Sequence, residues 1–363
     1  MTKVYNHIAR KVGEVVQQRI DHLGIGQKMQ DLPEELWHKS FRYYVKEDPN
    51  RKGGPNLRMI RLDPSKPSLT VTGFIFNKFV HPFENRFVTV REAARLQGFP
   101  DDFVFHGSLT STQQQVGNAV PVPLAREIFA TVRDYAVAHG LAGSGELSAF
   151  SLFCGAGGFD LGAYQASTSG CRISVKVAMD CWEDACASLR GYEKTGTNVL
   201  QTDITTVDDP AYYWKTHSGQ NTLPDIVFGG PPCQAFSQAG KQKALDDERG
   251  TLVFQFLRFI ESLTPKFFIM ENVANIQSID KGLLYQSILD KMKHLGYNVV
   301  SGILCAADFG VPQLRRRMIF IGCRSDLGTV PLPLPTHTEF PSLEMLPLYN
   351  TVGDAFRDLP KIV

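Results

Sequence analysis

The sequence predicts an α/β fold, a mostly parallel sheet covered on both faces by helices, with a second, small, irregular domain beside it. From 148 to about 324, short apolar runs alternate with helical patterns, as in a sheet wound with crossover helices. Residues 1–86 lack that alternation and are rich in loop-forming and basic residues. The length of 363 residues is also too great for one small module.

Taken in chain order, a helical pattern covers 8–23 and is followed by a Pro, Gly, Lys and Arg run over 47–55. Helices are expected at 89–97 and 123–138, the second with Pro123 where a first turn tolerates it. The glycine-rich stretch 139–147 reads as a flexible linker. Strands are expected at 148–153, 173–179, 225–229, 267–270 and 317–322. Between them, Leu252, Phe256, Phe259, Ile260 and Leu263 give 251–263 one apolar face, and Leu284, Ile288, Met292 and Leu295 do the same for 283–295. The stretch 325–347 is proline-rich and expected to wrap the surface, and 325–363 as a whole reads as a surface tail. The chain therefore divides at 1–86, 87–138, 139–147, 148–324 and 325–363.

Composition excludes several classes. With 43% hydrophobic and 21% charged residues the chain is an ordinary globular one, not a disordered or collagen-like one. No apolar run approaches the roughly 18 residues of a membrane span. Seven cysteines without a Cys-x-x-Cys pair read as reduced thiols of a cytosolic protein, with no disulfide or zinc framework and no metal. Residues 1–100 carry 17 Lys and Arg against 10 Asp and Glu, whereas the remainder is mildly acidic. Such asymmetry suits a polyanion partner, although a solvated basic face explains it equally well.

Three loops at strand ends carry the chemistry. Phe153, Gly155 and Gly157 lie in a glycine-rich turn that opens a helix, where backbone can approach a ligand. The spacing fails the G-x-G-x-x-G fingerprint at Asp160, which disfavours a dinucleotide and suits an adenosine without phosphates. Asp180 ends the next strand, where a carboxylate accepts ribose hydroxyls, and Trp182 is a candidate for stacking on a purine, with core packing the plainer alternative. Cys233 sits in a rigid Gly-Gly-Pro-Pro-Cys-Gln turn rather than in an apolar run, which marks it as a reactive thiol. Glu271 ends another strand as a candidate acid or base. If extended, Gln313, Arg315 and Arg317 share one face that could hold an anion or polarise a carbonyl.

In this order, these residues resemble the DNA (cytosine-5)-methyltransferase family over nearly the whole chain. The resemblance implies a Rossmann-like S-adenosylmethionine-dependent methyltransferase sheet with a small target-recognition domain at 1–86. It implies a cofactor site of Phe153, Gly155, Gly157, Asp180, Trp182, Asp203, Ile204, Pro231, Leu252 and Asn118. Asp180 stands where Glu is more usual. It also implies a catalytic set of Cys233, Gln234, Glu271, Arg315 and Arg317. Arg51, Lys52, Arg58, Arg61, Thr70, Arg86 and Arg91 are the expected DNA contacts. Residues 237–250 are expected to form a loop that closes over the target. The motifs at 91–100 and 115–121 close the chain in most of the family but here precede the cofactor loop, so the sequence resembles a circularly permuted member. The implied activity is methylation of cytosine carbon 5 in a short duplex DNA site by base flipping and a covalent Cys233 adduct. The chain is expected to be a monomeric, cytoplasmic prokaryotic modification enzyme acting on duplex DNA, with a companion restriction endonuclease and no membrane partner. An RNA cytosine methyltransferase shares the catalytic residues and stays open, as does a non-catalytic DNA-binding homologue.

Overall fold

A computed structural model describes residues 4–46, 59–73, 76, 78–232, 252–341 and 345–362. Cys233, Gln234, Arg51, Lys52, Arg58 and the expected closing loop lie outside the described residues.

The main body is a seven-stranded sheet. Its strands are β4 (Glu146–Leu152), β5 (Arg172–Asp180), β6 (Asn198–Gln201), β7 (Ile226–Gly229), β8 (Phe267–Val273), β9 (Tyr297–Cys305) and β11 (Arg316–Arg324). The order is β6-β5-β4-β7-β8-β11-β9. The first five are mutually parallel, and β11 runs antiparallel to both β8 and β9. Central β4 is buried on both faces after its first residue, which is why it reads as continuous apolar sequence.

One face is covered by α5 (Val122–Ala138) and α6 (Gly158–Gln165). Leu124, Ile128, Phe129 and Val132 of α5 pack with Ala149, Phe228 and Ile269 of the sheet. The helices approach closely because Gly162 lacks a Cβ, which would stand 2.3 Å from that of Ala125. The opposite face carries α9 (Leu252–Leu263) and α10 (Leu283–His294), whose Phe256, Phe259, Ile260, Ile288 and Met292 join Phe150, Val227 and Phe268. The segment 109–138 thus packs directly against the sheet body.

Residues 4–86 form a different kind of structure. Among its described residues, helices α1 (Glu14–His22) and α2 (Lys39–Lys46) accompany three two-residue strands, β1 (Ile60–Arg61), β2 (Ser68–Leu69) and β3 (Phe79–Val80). Their core is small: Ile20, Leu23, Met29, Leu32, Phe41, Met59, Val80 and Phe87.

Three expectations need correction. The linker ends sooner than 147, because Glu146 and Leu147 already belong to β4. The tail is not only a surface wrap: the short helix α11 (Val352–Phe356) buries Val352 and Phe356 in the same core as Val90, Ala94 and Phe99. Glu271 lies within β8, opposite Ile319, because pairing with β11 extends the strand to Val273.

Candidate active site

The carboxyl ends of β4, β5, β6, β7 and β8 open on one cleft of about 560 Å³, as strand ends do in open α/β sheets. It is lined by Phe153, Gly155, Asp180, Trp182, Asp203, Ile204, Pro231, Leu252 and Asn118. Glu271, Arg315 and Arg317 line it too, so the expected cofactor and catalytic residues among those described share one space, apart from Gly157.

The glycine turn is shaped by left-handed backbone. Phe153, Gly155 and Gly157 all have positive φ, at 56°, 52° and 82°. A β-carbon at Gly155 would meet nothing within 4 Å, so its backbone is open to a ligand. Gly157 is a correction. A Cβ there would stand 2.4 Å from Leu189 Cδ1, so this glycine serves helix packing, and it does not line the cleft.

Asp180 fixes the loop from the neighbouring strand. Its two oxygens accept hydrogen bonds from Gly155 N–H and Trp182 N–H, each at 2.9 Å. Each oxygen keeps a further lone pair for a ligand hydroxyl. Asp203 accepts from the Thr205 amide at 2.9 Å and hydroxyl at 2.8 Å through one oxygen, which caps the following turn. At the other end, Asn272 Nδ2 donates to Pro231 O at 3.0 Å and fixes the start of the Pro-Pro turn. Glu271 forms an ion pair with Arg317 Nε at 2.7 Å, with both side chains largely shielded.

Arg315 is 2% exposed. Its terminal nitrogens donate to Val71 O at 2.7 Å and Gly117 O at 3.2 Å, leaving only Nε without a partner. Burial, and then the neighbouring Arg317, pull its pKa down to about 9 against the opposing pull of Glu271. The alternation expected over 313–317 holds: Gln313 and Arg315 point inward while Leu314 and Arg316 are exposed.

Several expected DNA contacts are corrected. Arg61 is buried and donates to Leu23 O, Ile20 O, His81 O, Glu84 O and Asn85 Oδ1. Arg91 is wholly buried against the carbonyls of Tyr5, Pro100 and Phe103. Arg86 pairs with Glu84 and Glu92. Thr70 Oγ1 donates to Leu314 O at 2.9 Å. Arg61, Arg86 and Arg91 are committed to the protein itself, whereas the half-buried Thr70 hydroxyl keeps its acceptor lone pairs.

Sequence reasoning passed over Asp160. This carboxyl, in the first turn of α6, is fully buried, with the Ser151 hydroxyl beside it as its polar neighbour. Burial raises its pKa to about 7. The signal was available, since an aspartate two residues into an apolar, glycine-rich helix start is a buried polar group.

The model for C-5 cytosine-specific DNA methylase matches residues 2–133 and 147–361. The Type II methyltransferase M1.HphI of Haemophilus parahaemolyticus is 40% identical over 218 residues, which is 60% of this chain and 54% of that protein. M.AquIA of Picosynechococcus sp. is 37% identical over 231 residues, covering 59% and 90%. M.NgoFVII of Neisseria gonorrhoeae is 37% identical over 216 residues, covering 58% and 53%. The chain thus spans about half the length of the first and third of these relatives. A solved DNA modification methyltransferase encoded within an E. coli prophage is 26% identical with a TM-score of 0.47, covering 60% of this chain and 56% of that one. With one model spanning both the N-terminal region and the sheet body, the chain belongs to the C-5 cytosine-specific DNA methylase family.

Proposed function

We propose that the chain methylates carbon 5 of cytosine in a short duplex DNA sequence, as the modification enzyme of a prokaryotic restriction-modification system with a companion endonuclease. The observation that carries this is the single cleft gathering Phe153, Gly155, Asp180 and Asp203 with Pro231, Pro232, Glu271 and Arg317. Its open Gly155 backbone and the two-armed Asp180 fit the amino-acid and ribose parts of S-adenosylmethionine. Ile204, Trp182 and Leu252 supply apolar walls for the adenine, and Asn118 borders the same space. When bound, the cofactor supplies the methyl group.

The chain's residues then act on the base. Extrusion of cytosine from the duplex costs a few kcal/mol of unstacking and unpairing. Cys233 follows directly on the cleft-lining Pro232. Its thiolate forms a bond to carbon 6. Glu271 holds or protonates ring nitrogen 3, and Arg317, with Arg315 Nε, supplies positive charge for the ring carbonyl. Carbon 5 gains the methyl group, its proton leaves to a base, and the bond from sulfur to carbon 6 breaks. Gln234 follows the nucleophile in this scheme.

Circular permutation belongs to the same reading. The family model matches in two pieces on either side of the linker region. His7 Nε2 lies 2.9 Å from Pro360 O, so the two ends of the described chain meet. Asn6 and Tyr5 continue the contact by accepting from the backbone and side chain of Arg91.

The test is transfer of a labelled methyl group from S-adenosylmethionine to duplex DNA, with transfer RNA as the competing substrate. The wild-type chain is expected to label DNA, and Cys233→Ser to abolish turnover while binding the cofactor nearly as before. Labelling of transfer RNA alone, or near-normal turnover by Cys233→Ser, contradicts the reading.

A further inference from the structure

Between the recognition region and the cleft lies a buried polar seam that the proposed chemistry uses only at Arg315 Nε. Val71 is wholly buried, and its peptide groups are gripped from both sides. Its N–H donates to Gln313 Oε1 at 2.7 Å, and its carbonyl accepts from Arg315 Nη1 at 2.7 Å. These contacts continue the parallel pairing of β2 with β10 (Gln313–Leu314), in which Ser68 faces Gln313 and Leu69 faces Leu314. Thr70 Oγ1 adds a bond to Leu314 O.

The same two side chains reach the other wall. Gln313 Nε2 donates to Leu96 O at 3.0 Å and Gln97 Oε1 at 2.9 Å, and Gln97 Nε2 donates onward to Val116 O at 2.7 Å. Arg315 also donates to Gly117 O, in α4 (Leu109–Asn118). Residues 72–73 cross directly over that glycine. A Cβ on Gly117 would stand 2.0 Å from Gly73 N and 2.4 Å from Thr72 C. Asn118, next in the chain, and Arg317, two residues beyond Arg315, both line the cleft.

We propose that Gln313 and Arg315 are positioning residues that lock the recognition segment 68–73 into the cleft wall, so that choice of target sequence depends on them. The inference rests on the function proposed above and names the part of the chain that ties recognition to catalysis. Buried donors and acceptors tolerate no slack, because each group left unpaired is penalised in full. Movement of 68–73 on a poorly matched duplex therefore moves Arg315 and the Gly117 end of α4, and with them the walls carrying Arg317 and Asn118. A matched duplex leaves the seam intact and the catalytic edge in place.

The experiment uses the full chain with Arg315→Lys, Gln313→Leu and the peripheral Thr70→Val. The substrate is a plasmid library of random sequence, methylated cytosines are mapped by sequencing, and the wild type defines the preferred site. For Arg315→Lys and Gln313→Leu, cognate turnover is expected to fall, and preference over single-mismatch sites to fall at least about tenfold, the scale of one base contact. Thr70→Val is expected to lower that preference about two- to fivefold, the scale of one exposed hydrogen bond. It should leave cofactor affinity unchanged. Arg315→Lys keeps the charge and loses the fork, so an electrostatic role alone predicts retained preference. If the two core variants do not fold, Thr70→Val decides. Unchanged preference in every folded variant, whatever the loss of turnover, overturns the inference alone. A wild-type chain that methylates no duplex DNA overturns the functional reading and this inference with it.

Discussion

The sheet body and the N-terminal region solve the same problem by different means. In the sheet, backbone groups pair along strands of up to nine residues, so side chains are free to be apolar inside and chemical at the strand ends. Among the described residues of 4–86 the strands are only two residues long, so strand pairing takes up few backbone carbonyls. Arginine takes over the missing pairing. The Arg61 guanidinium alone satisfies Leu23 O, Ile20 O, His81 O, Glu84 O and Asn85 Oδ1. Arg91 does the same for three carbonyls at the boundary. A basic composition in a loop-rich segment is therefore partly a framework, and only the remainder is available to a polyanion.

The sharpest way to break this comparison is Arg61→Met. It removes a buried cation from five acceptors and is expected to destabilise the chain by about 3–5 kcal/mol in urea unfolding. Lys66→Ala, on an exposed side chain of the same region, should stay within about 0.5 kcal/mol. A stable Arg61→Met chain that has lost only DNA affinity would return Arg61 to the interface.

The sheet body has its own buried charge problem in Asp160, and here the expected effect runs the other way. Its folded pKa of about 7 lies above the usual carboxylate value of 3.8 because burial disfavours the anion. The folded state thus holds this proton more tightly than the unfolded one. Its contribution is complete below pH 4 and is lost as pH rises through 7. Asp160→Asn should therefore stabilise the chain at pH 8 by up to ~4 kcal/mol, with the gain vanishing near pH 4. Unfolding curves of both proteins across that range check the sign, and a gain independent of pH contradicts it.

A smaller loss than that at Arg61 is expected in the tail. Thr351 caps α11, accepting from Asp354 N while Asp354 returns the bond to Thr351 N. Thr351→Ala should cost about 1 kcal/mol. No measurable change would mean that this tail contributes little to the core it touches.

What could be read beforehand follows the same division. The expected strands at 148–153, 173–179, 225–229, 267–270 and 317–322 all overlap observed ones, because buried strands are apolar throughout and end at glycine or a charge. Strands β6 and β9 went unread: both lie at sheet edges, with partly exposed side chains and no clean alternation. The cleft was legible because strand ends converge in this topology. The roles of Arg61, Arg86 and Arg91 were not, since a carbonyl acceptor dozens of residues away leaves no mark in the sequence. Gly117 was equally silent, because its need for a bare Cα comes from 72–73 crossing it.

The central claim is covalent catalysis through Cys233, and a duplex containing 5-fluorocytosine tests it most directly, since fluorine cannot leave carbon 5 as a proton does. Incubation of the chain with S-adenosylmethionine and such a duplex, followed by peptide mapping, is expected to give one DNA-linked peptide, modified at Cys233. Among the described cysteines, Cys181 is exposed and lines the same cleft, which makes it the internal control. An adduct at Cys181, or methyl transfer to ordinary duplex with no trapped adduct, contradicts the account.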